Sequence, residues 1–219
     1  MQTRRLKALE FNTNAVLFLE ADNIPAAMQC LQKGLEEMNQ VWRQISNVST
    51  VGIFVATSEL PSTVRASSRG SRSLSEAPIV IDASSTGQEN LDRRDLLIEA
   101  ASILSNFGLC WKLKAKGTSS SVLKRRCGDN ALNLFFSAYQ MLATYGRIDG
   151  IELEGERKAT AKSLAIVILN NILSILSQHG RVREAMEVAQ MVRDLEAITT
   201  GDHFNDEEVD EWAEHAPAA

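Results

Sequence analysis

Apolar residues recur at intervals of three and four through most of the chain, the spacing of helices that each bury one face. The pattern is densest over 158–197, where Leu164, Val167, Ile168, Asn171, Ile172 and Ile175 share one face. After a His179-Gly180-Arg181 break, Val182, Ala185, Met186, Ala189 and Val192 share another. Gly180 falls where a helix end needs a left-handed residue, because it has no Cβ to clash. Together these features predict a helix-turn-helix hairpin. Leu9, Ala15, Val16, Phe18 and Leu19 mark an earlier helix over about 6–19, ended by Ala21-Asp22-Asn23. Asn23 is a candidate N-cap, and Pro25 stands in the first turn of the next helix, where a missing N–H costs nothing. Ala27, Leu31, Gly34 or Leu35, Met38 and Trp42 give that helix its face. Between these hairpins lies another pair. Leu96, Leu97, Ala100, Ile103, Leu104, Phe107 and Trp111 define its first helix over about 92–114; Leu123, Ala131, Leu134, Phe135, Ala138 and Leu142 define its second over 122–145.

The helical period fails over 47–90. Val51, Ile53 and Val55 alternate with smaller groups, and Pro78-Ile79-Val80-Ile81 is a second β-branched run, so each is a short strand or an extended segment packed on the helices. The Ser-rich stretch 58–77 between them has almost no large apolar group to offset the entropy of ordering, and is expected to be a flexible loop. The chain therefore divides into a first hairpin (1–46), an insert (47–90), a second hairpin (91–146), a charged connector, a third hairpin (157–200) and an acidic tail (201–219). The fold class expected is all-α, antiparallel hairpins forming one domain, with an insert able to hold two short strands. Four prolines and 12 glycines disfavour a small sandwich or barrel of many tight turns.

Charge narrows the function classes. The formal net charge is -5, but residues 201–219 hold seven acidic groups and no Lys or Arg, so the rest carries 23 basic against 21 acidic groups. That balance excludes a nucleic-acid footprint. Cys30, Cys110 and Cys127 are odd in number and have no C-x-x-C pair, which points to core-filling thiols in a reducing compartment and not to disulfides or zinc. The apolar run 164–176 contains Asn170 and Asn171 and falls short of the roughly 20 residues a bilayer span needs. A soluble cytoplasmic protein that does not bind membranes is the expectation. No phosphate-binding glycine loop, nucleophile elbow or metal-spaced His or Cys cluster stands in the sequence, so no enzyme activity, cofactor or metal is expected. His179, at a helix end, reads as a capping cation.

The second helices of the three hairpins share a signature. Ala27, Leu31 and Gly34, then Ala131, Phe135 and Ala138, then Ala185, Ala189 and Val192 all fall at offsets of zero, four and seven. Small residues at that spacing let helices approach closely. In the first helices Phe11, Ala15 and Phe18 correspond to Leu104, Gly108 and Trp111 and to Leu169, Leu173 and Leu176. These positions resemble the tetratricopeptide repeat over about two-thirds of the chain. The repeat's terminal proline is missing, and the key alanines lie 104 and 54 residues apart, not the roughly 34 of a tandem array. With its inserts and its Asn106 and Asn171 at one first-helix position, the chain looks like the divergent, lineage-expanded tetratricopeptide-like proteins of unicellular algae. The resemblance implies a short tetratricopeptide-like α-solenoid in which Ala27, Ala131, Ala185, Gly108 and Asn171 are structural. It also implies a concave face of first helices.

A non-enzymatic scaffold that binds a protein or peptide on that face is the function this implies. Groove-facing positions would be Asn12, Val16 and Leu19, then Ser105, Leu109 and Lys112, then Asn170, Ser174, Ser177 and Gln178, with Asn106 and Asn171 at the groove edge or bridging neighbouring helices. Asn both donates and accepts, so a row of them suits the backbone of an extended peptide. Replacing the groove polar groups is expected to cost binding and little stability. The alternative is an adaptor regulated by phosphorylation of Ser67 and Ser71, which follow Arg65 and Arg69 at a basic-directed kinase spacing.

Overall fold

The computed structural model describes residues 2–45, 78, 79, 81, 93–145 and 156–200. Six helices follow one another: α1 (Gln2–Glu20), α2 (Ile24–Ile45), α3 (Arg93–Gly117), α4 (Ser121–Tyr145), α5 (Glu156–Gln178) and α6 (Val182–Thr200). Among the described residues there is no strand, and 78, 79 and 81 lie in neither helix nor strand. The 51–57 strand, the Ser-rich loop, Ser67, Ser71 and the acidic tail all lie outside the described residues.

Three-residue connections at 21–23, 118–120 and 179–181 return each hairpin on itself. Two of these turns are built alike. After α1, the Asn23 N–H donates to Phe18 O and the Asp22 N–H to Leu19 O; after α5, Arg181 and Gly180 repeat this onto Leu176 and Ser177. Each is a Schellman closure with a left-handed residue, Asp22 at φ 58° and Gly180 at φ 70°. Helix α2 then starts at once, because the Ala26 N–H donates to Asn23 Oδ1 at 3.3 Å, the cap the sequence predicts.

The helices pair as α1 with α2, α3 with α4 and α5 with α6. Helix α2 also packs on α3, and α4 on α5, while α1 touches α3 and α3 touches α5. Helix α3 sits at the centre of this arrangement, and every residue from 99 to 112 is buried. Helices α3 and α5 are each long and apolar enough to cross a membrane, although the run 164–176 alone is not, and for α3 the reason is its cover on all sides. In α3, 94% of that window is covered by the rest of the protein, against 56% in α5.

Small residues sit where helices meet. Ala27 and Ala131 are fully buried and Ala185 nearly so. Gly108 of α3 faces Phe135 of α4, whose ring atoms would lie 3.0–3.1 Å from any Cβ added there. The sequence pattern misplaces several apolar groups. Val182 and Met186 are 66% and 68% exposed, so the buried face of α6 runs Ala185, Val188, Val192 and Leu195. Leu123, in the first turn of α4, is 44% exposed. Of the three free thiols, Cys110 and Cys127 are buried and Cys30 only half so. His179 follows the last residue of α5. Its ring lies against Gly128, where a Cβ would come within 2.4 Å of it, and its Nδ1 is 3.8 Å from Asp129 Oδ1.

Candidate functional site

Burying α3 on all sides makes an unpaired polar group there cost several kcal/mol; most of its buried polar side chains have partners, while the Trp111 indole Nε1 has none among the described residues. Glu99 meets Arg5 of α1, whose Nε and Nη2 donate to both carboxylate oxygens at 2.6–3.1 Å. Both side chains are about 95% covered. The Glu99 contact holds the Arg5 guanidinium above its ordinary range. Burial pushes the Glu99 carboxyl up, against the pull of Arg5. The forked geometry identifies the pair as ionised. Ser102 returns its hydroxyl to Ile98 O in its own helix at 2.8 Å. Lys112 donates to Asn171 Oδ1 of α5 at 2.9 Å, and the Asn171 amide nitrogen donates to Val167 O at 3.0 Å.

Asn106 does something different. Its Oδ1 accepts the Ile79 backbone N–H at 2.7 Å, and its Nδ2 donates to Ile79 O at 2.8 Å. The second Nδ2 hydrogen goes to Asn12 Oδ1 of α1 at 2.9 Å, and Asn12 Nδ2 donates to the same Ile79 carbonyl at 3.3 Å. One residue's N–H and C=O point the same way only when the backbone is extended. A side-chain amide that takes both therefore stands in for one residue of a neighbouring antiparallel strand. Asn12 and Asn106 are 0% and 1% exposed, so nothing competes with these bonds from outside. Ile79 and Ile81 both pack against the hydrophobic core.

The residues expected in the groove thus separate into two groups. Asn12, Val16, Asn106 and Lys112 are buried; the two asparagines hold Ile79 and Lys112 holds Asn171. Replacing Asn12 or Lys112 would therefore cost stability, contrary to the expectation for freely facing groove groups. Leu19, Ser105 and Leu109 are buried as well. Asn170 and Ser174 of α5 are half-buried, while Ser177 and Gln178 are exposed, and Gln178 Nε2 donates to Ser174 Oγ at 3.4 Å. Asn171 has the helix-bridging role. Sequence reasoning missed the Arg5–Glu99 pair entirely. Its only signal is that both residues fall on otherwise apolar faces, with Leu9 four positions after Arg5 and Leu96 and Ile103 flanking Glu99.

Among the described residues, no group of three or more His, Cys, Asp or Glu side chains is placed to hold a metal ion. What the asparagine pair does chemically is read main chain, without regard to side-chain identity. No protein-family model, curated protein or solved structure matches the chain.

Proposed function

We propose that the protein is a non-enzymatic interaction scaffold of the tetratricopeptide-like kind, binding extended peptides on the face formed by its first helices, α1, α3 and α5. The observation that carries this reading is the Asn12–Asn106 pair, which engages an extended backbone through both groups of one residue, Ile79. Paired hairpins joined by identical turns 158 positions apart support the repeat character, since Asp22 and Asn23 recur structurally as Gly180 and Arg181. On α5 the half-buried Asn170 and Ser174 and the exposed Gln178 offer amide and hydroxyl groups at helical spacing. Main-chain hydrogen bonds supply affinity in this mode and side-chain pockets supply selectivity.

Selection of displayed peptides on the immobilised full chain tests the proposal. Peptides recovered should be extended and rich in β-branched residues. Asn170→Arg with Ser174→Arg should weaken them about tenfold or more while leaving the melting temperature near that of the parent, because neither residue is fully buried. Selection of no peptide, or of peptides indifferent to those changes and to Asn106→Ala, would move binding off this face.

A further inference from the structure

The segment seated on Asn12 and Asn106 belongs to the chain itself, yet the way it is held is that of a ligand. Four hydrogen bonds join side-chain amides to the pair, and three of them end on the backbone of Ile79. No helix or strand hydrogen-bonding links residues 78, 79 and 81 to α2 or α3 in sequence, and 32 residues separate Ile45 from Pro78. The Asn106 amide has two donors and one acceptor site in use, all of them buried. Removing the occupant strips two of these three bonds from a buried amide, so the seat requires an extended backbone in place.

Building on the proposed peptide-binding reading, we infer that this seat is a recognition site for an extended Pro-Ile-x-Ile type peptide, filled here by the chain's own Ile79 with Ile81 against the core, and opened to the same motif in a partner when Ile79 is displaced. The chemistry is specific in two ways. The amide ring formed by Asn106 selects an extended residue with a free N–H, which excludes proline or an N-methylated residue at the Ile79 position. The contacts of Ile79 and Ile81 with the core select aliphatic side chains at two alternate positions. Pro78 lies one residue before the position that needs an N–H, where its own lack of one does no harm, and is half-buried. A tethered segment competes with an effective concentration on the order of millimolar. A partner with the same motif therefore has to be presented above that level, or fit the two aliphatic positions better.

The test uses the full chain and a labelled, end-blocked peptide, Ala-Pro-Ile-Val-Ile-Asp. Its partner variant is Ile79→Gly with Ile81→Gly, which removes the aliphatic contacts of the internal segment with the core. Fluorescence anisotropy should show the peptide binding this variant about tenfold or more tightly than the parent, as loss of the internal competitor requires. Asn106→Ala in the same background should abolish the gain, and so should N-methylation of the first isoleucine in the peptide. If the double variant does not fold, the milder Ile79→Ala carries the same comparison; loss of the fold there too overturns the inference, because the segment is then core and not occupant. A folded variant that ignores the peptide, or binds the N-methylated form equally, also overturns it. Peptides captured through Asn170 and Ser174 alone would sink this inference and leave the broader peptide-binding proposal standing.

Discussion

Gly108 of α3 and Phe135 of α4 share one space: three ring atoms of Phe135 stand 3.0–3.1 Å from where a Gly108 Cβ would be. The ring is fully buried, and close packing of the core resists its retreat. Gly108→Ala should therefore lower stability, since overpacking of about 1–3 kcal/mol exceeds the roughly 1 kcal/mol that alanine gains in a helix. Gly180→Ala provides the contrast. Nothing lies within 4 Å of that site, so its loss, about 1 kcal/mol, comes from the left-handed backbone at φ 70° alone. Paired denaturant melts separate the two, because adding Phe135→Leu should rescue Gly108→Ala and leave Gly180→Ala unchanged.

The Arg5–Glu99 pair predicts a non-additive result. Glu99→Leu alone strands a buried guanidinium and should cost about 3–5 kcal/mol, whereas Arg5→Met with Glu99→Leu should recover most of that loss. Equal losses in the single and double variants, measured by urea unfolding, would mean the helices α1 and α3 need the charges themselves.

Lys112 and Asn171 tie α3 to α5 through one buried hydrogen bond. Asn171→Ala should destabilise by about 1.5–3 kcal/mol, the usual worth of a bond to a charged group. A variant that melts like the parent would show that the ammonium does not depend on Asn171.

Tyr139 gives the alkaline limb of the stability curve. Burial alone pushes its phenol up to about 12 from the ordinary 10.0. Between those values the folded state keeps a proton that the unfolded chain has released, so stability falls as pH rises from about 10 and goes on falling until about 12. Ultraviolet titration should show one tyrosine, Tyr139, ionising late; Tyr139→Phe should flatten the decline over that window.

The helices were legible in the sequence because each has a face repeated at three and four, and the turns because Gly180 and Asn23 have backbone roles that few residues fill. The exposed Met186, Val182 and Leu123 were not. Periodicity shows that a face is apolar, and only the neighbours' extent decides whether all of it is covered. The pairing of Arg5 with Glu99 spans 94 positions, as does that of Asn12 with Asn106, and local spacing carries no information at that distance. The suitability of asparagine for an extended backbone was legible from its chemistry. That the backbone would come from Ile79 of the same chain was not, because β-branched residues in a run look alike whether they join a sheet or lie on helices.

Asn106 holds the main chain of Ile79 through both its N–H and its C=O, as a neighbouring strand would. Amide hydrogen exchange at Ile79, read by NMR in the parent and in Asn106→Ala, tests it most directly. The Ile79 amide should be slowed about tenfold or more in the parent, with that protection lost in the variant while amides in the middle of α3 remain protected. An Ile79 amide that exchanges at the rate of an unstructured chain in the parent, or is equally protected without Asn106, would contradict it.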